Sequence, residues 1–120
     1  MRSLLYAAIG AGLLVAGPLV GGATAAQPYS AVELLRACTE ADNDARWGET
    51  AELECEQYVM GFVHALQELG DTTVCVPAQN TAREVRWAYM RWVHEDYGAH
   101  KDMTAGDALL QTLRDKFKCQ

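Results

Sequence analysis

The side chains in this 120-residue sequence that could act as bases, nucleophiles or metal ligands are three histidines and four cysteines. The histidines are His64, His94 and His100, and two acids, Glu95 and Asp96, directly follow His94. These groups could form an acid–base or metal site, but they show no H-E-x-x-H spacing, and no G-x-S-x-G motif supplies a nucleophile. His64 has no second histidine or cysteine three or four residues away. We therefore expect a protein that is not an enzyme and holds no metal or cofactor.

The four cysteines, Cys38, Cys55, Cys75 and Cys119, form an even set in a short chain, which is typical of two disulfides in an exported protein. Four cysteines allow three pairings, and the sequence alone does not choose between them. Helical geometry favours Cys38 with Cys55, because Cys38 ends a short helix and Cys55 begins the next helix on its core face. Cys75 would then pair with Cys119, and no thiol would remain free.

Residues 1–25 have the pattern of a cleavable signal peptide. A basic start at Arg2 precedes an apolar run from Leu4 to Val20, and small residues allow cleavage near Ala25 or Ala26. The alternative is a permanent membrane anchor, but the run is short for that role and contains several glycines and a proline. Residues 26–120 are then a single domain in the periplasm, with no membrane association after cleavage.

The charge of the chain limits its partners. Loss of Arg2 with the signal peptide changes the formal net charge from −6 to −7. This balance argues against nucleic acids and anionic membranes, and it is compatible with a basic protein partner. Seven acids between residues 40 and 56 lack the glycine and terminal glutamate of a calcium loop, so we expect them to form a solvated face.

The hydrophobic pattern predicts an all-α bundle of four helices, or five, held by the two disulfides. The expected helices span about 30–38, 50–69, 81–97 and 105–117, with surface loops at 40–49 and 98–103. The second helix should form the centre of the core with one sector, which comprises Cys55, Tyr58, Val59, Phe62, Leu66 and Leu69.

Local signals predict how these helices begin, end and pack. Capping boxes are expected where Ser30, Thr81 and Thr104 precede an acid by three residues, and Gly70 should end the second helix with positive φ. Gly61, inside that helix, predicts the close approach of another helix. Trp47 is expected to fold back over the edge of the core, because Trp is usually highly buried, and the alternative is that it is an exposed contact residue.

The third helix carries a second sector of large and positively charged residues opposite its core side. Two interpretations have equal weight: the helix is sandwiched, with Trp87 and Met90 packed under the first helix, or this sector is a contact surface, since Trp, Met and Arg are enriched at interfaces. The sector comprises Arg83, Trp87, Met90, Arg91 and His94.

Several short patterns, in this order and spacing, resemble a known family. They are Cys55-x-x-Tyr58-x-x-Gly61, Cys75-Val76-Pro77, Val85-x-x-x-Tyr89 in a helix that ends at His94, and Leu113-x-x-x-Phe117-x-Cys119. Together they look like the Rap/Tai family, small exported proteins that protect bacteria from the peptidoglycan amidases of type VI secretion. The resemblance covers about residues 30–119. Glu95 and Lys118 stand where that family often has proline.

The resemblance implies a homodimeric helical protein without catalytic activity, which blocks an amidase effector by covering its active-site groove. By position, the expected contact residues lie on the third helix and in the 97–103 loop. They are Arg83, Trp87, Met90, His94, Tyr97 and His100. The alternative function is that of a small periplasmic binding or chaperone-like helical protein with no toxin partner.

Overall fold

The structure is a computed structural model, and it describes residues 17, 21–22, 25–43 and 45–120. This part of the chain contains five α-helices. The predicted signal peptide lies almost entirely outside these residues. The helices are α1 (Ala31–Asn43), α2 (Gly48–Glu68), α3 (Thr81–Glu95), α4 (Tyr97–His100) and α5 (Ala105–Lys116). The all-α prediction is confirmed; the third helix ends at Glu95 rather than near Tyr97, and α4 is a short fifth helix that begins at Tyr97 and enters the expected 98–103 loop. No helix in the described part of the chain has both the length and the apolar character needed to cross a membrane.

The predicted bounds of the loop over residues 40–49 are wrong, because α1 continues to Asn43 and α2 begins at Gly48. This polar segment has no apolar period, but one local contact supports the helix. Arg36 forms an ion pair with Glu40, four residues later, at 3.0 Å. The chain turns at residues 45–47 and enters α2 directly.

Two of the three predicted capping boxes are confirmed. The Ser30 amide donates to the Glu33 carboxylate at 2.8 Å, the Glu33 amide donates back to the Ser30 hydroxyl at 3.3 Å, and the Thr104 hydroxyl accepts from the Asp107 amide at 3.2 Å. The box at Thr81 is wrong. That hydroxyl donates to the Pro77 carbonyl at 2.6 Å, and α3 instead begins after Asn80, which has φ 54°.

The core lies between α1, α2, α3 and α5. The side chains that are fully buried include Leu34, Cys38, Cys55, Val59, Val85, Tyr89, Val93, Leu109 and Leu113. The predicted core sector of α2 is confirmed except at Leu69, which follows the end of the helix and is 83% exposed. Gly70 has the predicted positive φ, at 71°.

The close approach predicted at Gly61 is wrong, and the tight contact is at Gly48. Gly61 is exposed, and a Cβ placed there would meet no atom within 4 Å. A Cβ at Gly48 would lie 3.2 Å from the carbonyl oxygen of Ala41. The close contact therefore joins the first turn of α2 to the last turns of α1.

Both predicted disulfides are confirmed. Cys38 and Cys55 join α1 to α2 with a Cα–Cα distance of 5.0 Å, and neither residue is exposed to solvent. Cys75 and Cys119 join the connector after α2 to the segment after α5, with a Cα–Cα distance of 4.9 Å. Cys75 is exposed and Cys119 is partly buried.

Two short antiparallel bridges hold the connecting segments together. The Ala31 amide donates to the Met103 carbonyl and the Ala105 amide donates to the Tyr29 carbonyl, both at 2.8 Å. The Cys75 amide donates to the Phe117 carbonyl at 2.7 Å, beside the second disulfide. These bonds fix the position of α5 against α1 and α2.

Candidate interaction surface

The inner side of α3 is fixed by hydrogen bonds to α1 as well as by apolar packing. The hydroxyl of Tyr89, which is completely buried, donates to the Ala31 carbonyl at 2.7 Å. Its burial raises the pKa of the Tyr89 phenol. The core residues of α3 are those predicted from the sequence: Val85, Ala88, Tyr89, Trp92 and Val93.

Arg86 is a buried charge that sequence reasoning missed. Its guanidinium Nε donates to the Cys38 carbonyl at 3.0 Å, and its Nη2 lies 2.5 Å from Asp42 Oδ2 as a charge contact without hydrogen-bond alignment. Arg86 is three residues before Tyr89 and seven before Val93, so it lies within the apolar sector of the helix. This spacing could have indicated that Arg86 is buried, but charged residues are normally assigned to the surface.

The outer side of α3 is a surface, which rejects the sandwiched interpretation for Trp87. The Trp87 side chain is 42% exposed, whereas Met90 is partly buried against the core. A shallow depression runs along the helix here, lined by Trp87, Met90, Arg91, His94 and Glu95 of α3. Among the residues that the structure describes, no other element lines it, so none of them blocks an approach along this side of the helix.

Some of the charged residues on this outer side form ion pairs within the protein, and others do not. Glu95 forms an ion pair with Lys116 of α5 at 3.0 Å. Within the described part of the chain, no acidic group lies within ion-pair distance of Arg83 or Arg91. The guanidinium carbon of Arg86 lies 5.7 Å from the centre of the Trp87 ring. This cation–π contact holds the ring from its inner side.

The last two predicted contact residues occupy different environments. Tyr97 is 44% exposed and its ring stacks on His94, with ring centres 6.2 Å apart. The His100 ring stacks on Trp92 at 3.6 Å, and its Nδ1 donates to the Trp92 carbonyl at 2.9 Å. The structure thus places Tyr97 beside the outer side of α3, whereas His100 joins α4 to the core. A binding role for these residues stays a prediction.

A second exposed tryptophan lies at the acidic corner between α1 and α2. Trp47 is 62% exposed, so the prediction that it covers the core edge is wrong. It borders a depression with Arg36, Glu40 and Glu54. Glu54 also accepts a hydrogen bond from the Tyr29 hydroxyl, and burial, with this bond, raises the pKa of Tyr29.

The cysteines and histidines considered from the sequence as nucleophiles or metal ligands lie in different environments. All four cysteines are in disulfides, and no group of three His, Cys, Asp or Glu side chains in this part of the chain is placed to hold a metal ion. His64 is exposed on α2. What the surface does offer is an aromatic and cationic helix face, which is suited to contact with another macromolecule.

Comparison with known proteins gives one match. The family model described as Rap1a immunity proteins matches residues 30–119, a span that includes all five helices and both disulfides. No curated protein and no solved structure matches the chain.

Proposed function

Because this chain belongs to the Rap1a immunity proteins, we propose that it is a periplasmic protein that protects its cell from a type VI secretion effector. The effector is a peptidoglycan amidase, and the protein binds it and covers its active-site groove. The family match over residues 30–119 carries this proposal. The resemblance in the cysteine, tyrosine and glycine patterns supports the amidase as the partner and a homodimer as the active form.

The proposed location requires export. Residues 1–25 act as the signal peptide, with cleavage near Ala25 or Ala26, and residues 26–120 form the mature domain. Two disulfides are consistent with this location, because they form and persist in the oxidising periplasm.

The proposed mechanism is occlusion without chemistry. The protein is not an enzyme in this proposal and needs no cofactor, because it acts by filling and covering a groove. Its acidic charge steers it toward an effector whose surface is basic to suit an anionic substrate. Apolar anchors surrounded by polar groups then hold the complex.

Co-expression in the periplasm tests this function. Cells that produce the cognate amidase, found by testing candidate peptidoglycan amidases in the periplasm, should survive only when this protein is also produced. The matched control is the same protein without residues 1–25, which stays in the cytoplasm and should not protect. Lysis of cells that carry the exported protein contradicts the proposal. Capture of many unfolded proteins, with no stoichiometric amidase, favours the chaperone-like alternative.

The outer side of α3 is the contact surface in this proposal. Replacement of both Trp87 and Met90 by Ala should weaken either dimerisation or effector binding, because truncation of a buried aromatic anchor is costly. Leu53→Ala is the matched control, since Leu53 is also apolar and is 51% exposed on a different helix. Unchanged sedimentation together with unchanged effector affinity contradicts this assignment. Hydrolysis of peptidoglycan by the purified protein contradicts the non-enzymatic mechanism.

A further inference from the structure

A groove runs beside the C-terminal half of α2, between this helix and the connector that follows it. Two adjoining depressions of about 190 and 240 Å³ form the groove, and each has room for several water molecules and so for a side chain. Both are lined by Val63, Gln67 and Val76, so they are continuous. Leu66 and Val74 add to the apolar wall of the first depression. Among the described residues, the groove and the depression on the outer side of α3 share none.

The connector presents one edge of an extended chain to this groove. Residues 73–75 pair with residues 117–119 as a short antiparallel ribbon, through backbone hydrogen bonds of 2.7 and 3.2 Å. Val74 and Val76 are partly buried and Cys75 between them is exposed, an alternation typical of a strand. Alternate residues of a strand direct their backbone polar groups to opposite edges. Val74 and Val76 therefore direct theirs away from the ribbon partner, on the side of the groove that both residues line.

Three backbone groups of this edge make no hydrogen bond to another residue in the described part of the chain. They are the amide of Val76 and the carbonyls of Val74 and Val76. The Val74 amide is directed to the Asp71 carboxylate, and Pro77 ends the edge because it has no amide hydrogen. A strand edge with free donors and acceptors is a template for pairing with another extended chain.

The carboxylate at one end of the groove defines the charge that the groove accepts. The Asp71 side chain is 15% exposed, and both hydrogen bonds from Thr73 go to its Oδ1. Its Oδ2 lies 3.8 Å from Arg114 Nη2, which is beyond hydrogen-bond distance. Among the described residues, no lysine or arginine lines either depression. A cationic group that enters the groove therefore finds an acceptor oxygen and no competing positive charge on its walls.

We propose that this groove binds an extended segment of a partner protein, which pairs antiparallel with residues 74–76 and carries an apolar and then a basic side chain. The apolar side chain lies opposite Val76 and packs against Val63. The basic side chain, two residues later on the same face, lies opposite Val74 beside Asp71.

The backbone and the side chains have different roles in this site. Hydrogen bonds to the strand edge hold any extended peptide, whereas the apolar wall and the carboxylate select its sequence. The antiparallel direction is favoured because such pairs are slightly more stable per residue than parallel ones. A basic segment also suits the net charge of the chain, which is −6. The inference goes beyond the proposed function, since it assigns a second binding site and the class of peptide that occupies it.

A peptide titration followed by nuclear magnetic resonance tests this site. Isotope-labelled protein, purified with both disulfides formed, is titrated with the acetylated and amidated peptide Thr-Leu-Thr-Lys-Thr to about 5 mM, because short peptides bind weakly. The amide signals of Val63, Gln67 and Val76 should shift most, with a dissociation constant of about 1 mM or below. Replacement of the peptide lysine by glutamate should weaken binding at least about threefold.

Methylated peptides test the strand pairing separately from the side chains. A methyl group on the leucine nitrogen removes the donor to the Val76 carbonyl, so binding should weaken at least about fivefold. The matched control carries its methyl group on the central threonine nitrogen, which points away from the strand edge, and should bind within about twofold of the parent peptide.

Asp71→Asn tests the carboxylate in the protein itself. This variant keeps the oxygen that accepts both hydrogen bonds from Thr73 and removes the charge. It should therefore bind the lysine and glutamate peptides with dissociation constants within about twofold of each other. The amide spectrum of the free variant shows directly that it is folded.

Four results would overturn the inference. They are the absence of shifts in the groove at about 5 mM peptide, the largest shifts on the outer side of α3, equal weakening by the two methylated peptides, and equal affinity of the wild type for the lysine and glutamate peptides. None of these measurements contains an amidase, so they decide this site independently of the proposed function.

Discussion

Arg86 of α3 donates a 3.0 Å hydrogen bond from its Nε to the main-chain carbonyl of Cys38, whose sulfur is bonded to Cys55 of α2. The backbone and the side chain of Cys38 thus hold two different helices. Both residues are buried, with Arg86 only 6% exposed. Three helices therefore meet at Cys38, which ties the candidate surface on α3 to the most protected part of the core.

Arg86→Ala should lower the free energy of unfolding by about 2–3 kcal/mol, because it removes a buried hydrogen bond and the packing of the guanidinium stem. Asp42 is 44% exposed and can turn to water, which limits the loss. Urea unfolding with the disulfides intact measures the effect. Arg36→Ala is the matched control: Arg36 is 57% exposed beside Glu40, so we expect a loss below about 0.5 kcal/mol. Equal losses of unfolding free energy in the two variants would show that Arg86 does not hold α3 against α1.

The two disulfides should differ in their resistance to a thiol reductant. Dithiothreitol attacks sulfur atoms that it can reach, and Cys75 is exposed, whereas neither Cys38 nor Cys55 has any exposed surface. Under native conditions, alkylation followed by mass spectrometry should label Cys75 and Cys119 first. In denaturant the order should disappear, because every sulfur is then accessible. Simultaneous labelling of all four cysteines under native conditions would contradict this prediction.

Substitution of two helical glycines by alanine should have opposite effects. Gly61→Ala should raise the free energy of unfolding by about 1 kcal/mol, because Gly61 lies inside α2 and nothing surrounds its missing Cβ. Gly48→Ala should lower stability, since its Cβ would press at 3.2 Å on the Ala41 carbonyl, a main-chain atom that cannot rotate away. Thermal unfolding of the two variants shows whether each substitution raises or lowers stability. A stabilising Gly48→Ala would show that α1 and α2 can separate at this point.

Asp71 should make the protein sensitive to acid. Its carboxylate accepts hydrogen bonds from the Thr73 hydroxyl at 2.6 Å and the Thr73 amide at 2.7 Å, and these hold its pKa below the ordinary value of 3.8. A lowered folded-state pKa stabilises the protein above the unfolded-state pKa, and this stability is lost as the pH falls through the folded-state value.

Unfolding measured from about pH 5 to about pH 2 should therefore show a steeper loss of stability for the wild type than for Asp71→Asn. Thr73→Ala keeps the amide donor and removes only the hydroxyl, so its loss should be intermediate. Parallel curves for the three proteins would exclude Asp71 as a source of the acid sensitivity.

Local chemistry made much of this fold predictable. The capping boxes at Ser30 and Thr104 and the turn at Gly70 depend on residues within one turn of each other, so the sequence contains what determines them. The pairing of Cys38 with Cys55 followed from their positions on two successive helices, and Cys75 was then left to pair with Cys119. These features need no knowledge of distant neighbours.

Some of the predictions that failed depend on contacts between distant parts of the chain. The end of α1 has no apolar period, and Asp42 is held there by Arg86, which lies far along the sequence. Gly61 and Gly48 look alike in a helix, and only the position of α1 distinguishes the crowded one. On α3, the residue types indicated a surface or a buried face equally well, and the exposure of Trp87 decided between them.

The loops closed by the two disulfides follow one another along the chain and do not overlap: 38–55 comes before 75–119. A chain that crosses a membrane from its N-terminus presents Cys38 and Cys55 to the oxidising machinery before Cys75 arrives. If the chain is exported as proposed, pairing of each cysteine with the next one to emerge would give the native disulfides. Such a protein would mature in the periplasm with an oxidase alone, without an isomerase to correct mispaired intermediates.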